Sequence, residues 1–252
     1  LNRNTHWTLG VGAATLVITV IWLVPVLAKF DGDALRLAVI GTKFSEGLPE
    51  DHPDHTVGYD GQFAYYIARY GFDPPHDYTF DSAPYRYQRI LYPALSALLS
   101  LGREAWLPWA MLGVNVIAHS VGAGLLAYLL AKLAGRPRYA LYALVYSVWV
   151  GEMFAVHFDL NEPLAMALGL AGIVLYHHER GWWAALCFVL AALTKDIGVV
   201  MMAGAAMHAW FAGRRRDFWL FGVSTVGAYV GWMVALRFLL GSSMLDTPMP
   251  PR

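Results

Sequence analysis

The chain has 252 residues, 58% of them hydrophobic and only 14% charged, well below the roughly 25% charged residues of a soluble domain. Lys plus Arg and Asp plus Glu both number 18, and no basic run carries interleaved aromatics, so nucleic acid is excluded as a partner and the lipid bilayer is the expected one. Cys187 is the single cysteine, which excludes an intrachain disulfide and a cysteine-built metal site.

The first apolar run, residues 7–28, is too long for a signal-peptide core and lacks a small-residue cleavage site, so it is read as a retained first span. Pro25 near its outer end is tolerable there. Further runs near the ~20 residues a span requires lie at 106–131, 139–156, 163–176, 182–193, 197–211 and 218–240. The expectation is one all-α polytopic domain over 1–252 with seven transmembrane helices, followed by a linker-like tail at 241–252. Orientation follows from the basic short loops "KLAGRPR", "HHER" and "RRR", which mark the cytoplasmic side. With the N-terminus inside, the loop at 29–105 lies outside, as do "HFDLNE" and "TKD".

That outer loop is acidic, with ten Asp or Glu against three Lys or Arg between Asp31 and Asp81. "DALRLAVIGTKF" and "GQFAYYIARYGF" space their apolar residues helically, which predicts two amphipathic helices lying on the membrane surface. "RILYPALSALLSLG" is about a dozen apolar residues, too short to cross. It is expected to form an interfacial or re-entrant helix on the outer face.

Four groups of residues could carry chemistry. Asp31 and Asp33 in "DGD" could act as a general base or hold a divalent cation, or simply end the span while Asp33 caps the next helix. Asp60 in "GYDGQF" is either a functional carboxylate or another cap, with Gly58 and Gly61 allowing close backbone approach. Arg86 and Arg89 in "YRYQRILYP" suit a lipid phosphate, or snorkel to the headgroups. Glu152, His157, Asp159, Glu162, Lys195 and Asp196 gather near outer span ends, where ionisable groups are costly unless paired or functional. "DHPDH" with His76 could bind metal but reads more readily as a polar loop. His119 and His208 are taken as packing residues, and "GAYVG" as a close helix contact.

The order of these pieces resembles the GT-C class of membrane glycosyltransferases. "DGDALRLAVIGTKFSEG" followed by "YRYQRILYPALSALL" is similar to the mannosyltransferases of glycosylphosphatidylinositol anchor synthesis, where an Asp-x-Asp follows the first span and a Tyr-Arg-Tyr precedes a short helix. "YDGQFAYYIARYGF" resembles a second branch with the pattern Trp-Asp-x-x-x-Tyr-x-x-Ile-Ala-x-x-Gly-Tyr. Asp60, Ile67, Ala68 and Gly71 match it, while Tyr59 stands for the Trp and Phe72 for the final Tyr. "LAALTKDIGVV" is similar to a Lys-acidic element of bacterial polytopic proteins linked to cell-surface glycopolymers. The resemblance covers most of the chain and is densest over 31–93.

The resemblance implies a GT-C core in the bacterial inner membrane, with its active site on the extracytoplasmic side. It would transfer a sugar, with inversion, from a polyprenyl-phosphate donor to a glycan, lipid or protein acceptor. Asp33 or Asp60 would be the base, with Asp31 supporting. Gln62, Arg86, Tyr87, Arg89, Tyr92, Asp159, Glu162, Lys195 and Asp196 would bind substrate. The resemblance fixes no cofactor: some members of the class use a divalent cation and others do not, and Mg or Mn could sit among Asp31, Asp33 and Asp60. The other reading is a lipid-linked-sugar flippase or a scaffold subunit without chemistry.

Overall fold

The structure is a computed structural model that describes residues 3–75 and 79–241. The described residues are helical and include no strand. In chain order the α-helices are α1 (Arg3–Lys29), α2 (Thr42–Ser45), α3 (Gly61–Tyr70), α4 (Ala83–Tyr87), α5 (Leu91–Leu99), α6 (Leu107–Leu133), α7 (Leu144–Ser147), α8 (Val150–His157), α9 (Glu162–His177), α10 (Gly181–Thr194), α11 (Ile197–Phe211) and α12 (Arg215–Leu240), with 3-10 turns at Ala34–Ala38, Glu104–Trp106 and Pro137–Ala143.

Three stretches are long and apolar enough to cross a membrane: His6–Lys29, Glu104–Leu133 and Arg215–Leu240. A fourth is formed if Pro137–Ser147 and Val150–His157, bent by 53°, count as one span. The remaining three expected spans are helices at the expected places, but α9, α10 and α11 hold only 16, 14 and 15 residues. At about 1.5 Å per residue each is roughly 21–24 Å long, short of a hydrocarbon core of about 30 Å.

Helix α6 is the hub, with 61% of its apolar window buried, against 22% for α1 and 11% for α12. It packs on α1, α9 and α5. The α1–α6 approach is close because Gly12 and Gly124 meet across it: a Cβ on Gly12 would lie 3.2 Å from the Ser120 carbonyl oxygen and 3.8 Å from Gly124 Cα. The expected packing role of His119 agrees with its setting: fully buried, its Nδ1 lies 3.1 Å from Thr19 Oγ1.

The ends of these helices sort by charge. Lys132 Nζ donates to the His177 carbonyl, and Arg214 Nη1 donates to the Tyr176 carbonyl at 3.2 Å. The basic turns therefore cluster at one end of the bundle. Glu162, Lys195 and Asp196 lie at the other ends of the same helices.

The apolar faces of the expected amphipathic segments are covered by protein. Residues 34–45 form a 3-10 turn and the short α2, because Val39 turns back with φ +49°. Helix α3 buries its apolar face in the protein core: Phe63 and Tyr66 pack with Tyr92, Met111 and Leu164. A helical apolar stripe needs a nonpolar neighbour, and here protein supplies it. The short apolar segment appears as α5, nine residues long.

Candidate active site

The two candidate carboxylates differ in what they do locally. Asp33 Oδ1 accepts from the Leu35 N–H at 3.0 Å, so Asp33 caps the 3-10 turn, and its other oxygen lies 3.6 Å from Arg36 Nε. Asp60 precedes α3 but makes no side-chain capping bond. Its carboxylate is left to other partners.

The backbone around Asp60 is held tightly. Gln62 Oε1 accepts from the Gly41 N–H at 3.1 Å, and Gln62 Nε2 donates to the Val57 carbonyl at 3.0 Å. The Tyr59 N–H donates to the Val39 carbonyl at 2.9 Å. Gly58 has φ +71°, and Gly61 lies so close to the Phe158 carbonyl that a Cβ there would be 2.2 Å from its oxygen. Only glycine fits both positions.

These constraints aim Asp60 into a narrow cleft with about 20 Å³ of water-accessible space, lined with Phe63, Arg86, Arg89, Asn161, Glu162 and Lys195 among others. Arg86 Nη1 lies 3.0 Å from Asp60 Oδ1, and Arg86 also grips Asp81 through Nε at 2.8 Å and Nη2 at 2.6 Å. This is the two-pronged geometry that suits guanidinium. The Arg86 guanidinium stacks over the Phe63 ring at 4.0 Å. Arg89 sits between Asp60 at 3.9 Å and Asp196 at 3.7 Å, and donates to the Tyr85 hydroxyl. Lys195 Nζ donates to Glu162 Oε1. Asn161, which donates to the Thr194 carbonyl at 3.2 Å, ties the Glu162 turn to the Lys195 corner.

Burial lowers the Arg86 pKa, but its bonds to Asp81 and the nearby Asp60 charge outweigh this and raise it. For Asp81, burial raises the pKa, and the Arg86 bond and charge bring it below the ordinary carboxylate value. Two buried polar atoms of the cleft residues have no hydrogen-bond partner among the described residues: Arg89 Nε, a donor, and Glu162 Oε2, an acceptor. Arg89 as a whole is only 8% exposed. Buried polar groups are normally paired, so an unpaired donor and acceptor lining one cleft suit a ligand carrying both acceptor and donor groups.

The structure thus brings Asp60, Arg86, Arg89, Glu162, Lys195 and Asp196 together. It does not bring Asp31 and Asp33 with them. Asp31 sits in the turn after α1 with φ +53°, and Asp33 lines a separate cavity with Phe30 and Arg36. The expected metal set of Asp31, Asp33 and Asp60 is not assembled: the described residues include no group of three or more His, Cys, Asp or Glu side chains placed to hold a metal ion. His76 of the other metal expectation lies outside the described residues.

Four expected substrate ligands prove to be interior residues. Gln62 is spent on the backbone clamp described above. The Tyr87 hydroxyl donates to the Gly71 carbonyl. Tyr92, fully buried, has its hydroxyl 3.1 Å from the Met111 carbonyl and accepts from Asn115 Nδ2 at 2.9 Å. Asp159 is fully buried, with Oδ1 3.4 Å from the Tyr92 hydroxyl. Each supports the cleft from behind. Conversely, Asp81, Tyr85 and Asn161 were not singled out in the sequence. The spacing of Asp81 five residues before Arg86 was the available signal for the first of them.

Asp159 yields a test of its own. Its Oδ2 and Asn115 Oδ1 are both buried acceptors without a partner among the described residues, and burial raises Asp159 well above the carboxylate range despite the Tyr92 hydroxyl and the Asn115 amide beside it. A raised folded-state pKa means the folded protein holds more protons than the unfolded one. Stability is then lost as pH rises above the unfolded value of about 3.9. Asp159→Asn supplies the proton permanently and tolerates the left-handed backbone there (φ +49°). It is expected to remove that loss, seen as a flatter dependence of melting temperature on pH. Asp159→Leu is expected to destabilise by about 1–3 kcal/mol at every pH, because a Leu side chain is strained in that left-handed backbone.

No protein-family model matches the chain, and neither the search of curated proteins nor that of solved structures found a match.

Proposed function

We propose that this chain is a GT-C type glycosyltransferase of the bacterial inner membrane, with α9, α10 and α11 completing seven spans and the cleft facing the extracytoplasmic side. Short spans of this kind are accommodated by local thinning of the bilayer at modest cost. The basic turns at the opposite end of the bundle support the orientation. The observation that carries the reading is the convergence of Arg86, Arg89 and Lys195 on the cleft that holds Asp60, with Arg89 Nε unpartnered and buried.

In this reading the donor is a polyprenyl-phosphate sugar. Its phosphate competes with Asp60 for Arg86 and Arg89, which frees the Asp60 carboxylate. Asp60 then takes the proton of the acceptor hydroxyl as that oxygen bonds to the anomeric carbon. The bond from the anomeric carbon to the phosphate oxygen breaks, and polyprenyl phosphate leaves with the electron pair. The single displacement inverts the configuration. The leaving group gains a negative charge, which the guanidiniums and Lys195 stabilise. The apolar groove between α5, α6 and α9, lined by Leu95, Leu99, Ile117, Leu164 and Leu168, suits the polyprenyl tail.

Binding of polyprenyl phosphate, the product, tests the cleft directly. Arg89→Gln keeps a polar side chain but removes the charge. It is expected to weaken binding roughly 10- to 100-fold, the worth of one hydrogen bond to a charged group. Titration of the protein in nanodiscs reads this. Unchanged affinity in Arg89→Gln and in Lys195→Met together would remove the cleft as the phosphate site. EDTA and added Mg or Mn in the same titration read metal dependence.

A further inference from the structure

The basic end of the bundle, opposite the cleft, gathers cations around one imidazole. His177 ends the 16-residue helix that Glu162 begins, which places the two about 22 Å apart at helical rise. Lys132 Nζ, at the end of α6, donates to the His177 carbonyl at 3.3 Å. The His208 ring of α11 lies 6.0 Å from the His177 ring, and its Nδ1 is 2.9 Å from the Tyr176 hydroxyl. Arg214, just before α12, stacks over the Tyr176 ring at 4.2 Å. His178 follows in the chain, with Nε2 2.7 Å from the Tyr128 hydroxyl. Helix α10, which also packs on α9, carries no charged residue.

Cations at helix C-termini are ordinary, because they satisfy the last carbonyls. Lys132 and Arg214 do this. It does not account for the imidazoles gathered beside them. Two acids lie at this end. Asp217 is spent on Arg214, at 2.7 and 2.5 Å, and Glu179 sits exposed in the turn beyond. Burial lowers the His177 pKa, and the charges of Lys132, His208, Arg214 and His178 lower it further. Like charges collected in this way are relieved by an anion.

We propose that His177, His208 and Lys132 form a binding site for the phosphate of an anionic phospholipid, in the leaflet at the basic end of the bundle. The inference needs the chain to span a membrane but does not need the transferase reading. Two observations select the occupant. Trp182, Phe211 and Trp219 are exposed around the same end, and exposed tryptophan marks headgroup depth, so a lipid phosphate arrives at the right height. A zwitterionic lipid brings a cation of its own, which the cluster repels, whereas a phosphoglycerol head does not. Basic pockets between helices at this depth recognise such heads. The bound anion favours the charged imidazoles, so binding takes up protons, and affinity falls as pH rises through the imidazole range.

The full chain in nanodiscs of equal phosphatidylglycerol and phosphatidylcholine is released into detergent, and the lipids retained per chain are counted by mass spectrometry. Phosphatidylglycerol is expected to be retained in preference, more at about pH 5.5 than at about pH 8. Lys132→Gln is expected to lower the preference about tenfold, the worth of one hydrogen bond to a charged group. His177→Gln with His208→Gln is expected to flatten the pH dependence. Arg136→Gln with Arg138→Gln removes two charges from the same basic end and should change neither. Melting temperatures in pure phosphatidylcholine control for folding. No preference in the wild type, or an equal loss in the Arg136 and Arg138 variant, overturns the proposal in favour of diffuse attraction. An unchanged pH dependence in the histidine variant overturns the imidazoles as the site. Stabilisation by inorganic phosphate in pure phosphatidylcholine, with no phosphatidylglycerol retained, overturns the lipid and leaves a site for soluble phosphate. None of these readouts involves sugar transfer, so failure here is distinct from failure of the transferase.

Discussion

Asp60→Asn is expected to lower sugar transfer by about 10²- to 10⁴-fold, the usual contribution of a general base, while donor affinity stays the same or rises. Asp60 makes no capping bond, so the amide costs α3 little. Arg86 keeps both bonds to Asp81, and Arg89 keeps Asp196 within 3.7 Å. The cleft loses one negative charge that competes with the donor phosphate. The expected signature is a fall in kcat with a constant or lower donor KM, which marks an interaction needed in the transition state. Asp33→Asn should behave differently. Its side chain still accepts from Leu35, so the turn survives, and kcat should be retained. Steady-state kinetics on the two variants separate the candidates. A large kcat loss in Asp33→Asn with none in Asp60→Asn would exchange their roles.

Gly61→Ala is expected to be strongly damaging for a change of a single methyl. The added Cβ would lie 2.2 Å from the Phe158 carbonyl oxygen and 3.2 Å from Ala38 Cα and its carbonyl oxygen. All three atoms are backbone, so no side-chain rotation relieves the overlap, and α3 must move away from the 158–162 turn. Overpacking of this kind costs about 1–3 kcal/mol. It also shifts Asp60 relative to Arg86, whose 3.0 Å contact has no slack. A lower melting temperature together with lost turnover is the expected result. Gly113→Ala in α6 is the matched control, because nothing lies within 4 Å of its added Cβ. It should be neutral or slightly stabilising through helix propensity. Equal behaviour of the two variants would mean the α3–Phe158 contact does not hold the site.

Much of the helical layout was legible because apolar runs of helix length leave few alternatives. The short helix at Leu91–Leu99 was legible for the same reason, as were the charged corners at Glu162 and at Lys195. The limits were physical. An amphipathic stripe reports that one face of α3 avoids water, but not whether lipid or Met111 and Tyr92 cover it. Asp33 and Asp60 look alike in sequence because both precede a helix. What separates them is the placement of Arg86 and Arg89, more than 25 residues beyond Asp60, which no local pattern encodes. Asp159 in "HFDLNE" reads as an accessible loop carboxylate. It is buried only because the turn packs onto Tyr92 and Asn115 from two other helices.

Under the proposed function, Asp60 and its surrounding cations transfer a sugar from a lipid phosphate. The most direct measurement is release of polyprenyl phosphate from a panel of radiolabelled polyprenyl-phosphate sugars by the purified protein in nanodiscs, with cell-envelope lipids and glycans supplied as acceptor. Release is expected with at least one donor, lowered about 10²- to 10⁴-fold in Asp60→Asn and retained in Asp33→Asn. Saturable donor binding with no release across the panel, or release indifferent to Asp60→Asn, would contradict it. The first of these results would instead point to carriage or presentation of the lipid-linked sugar.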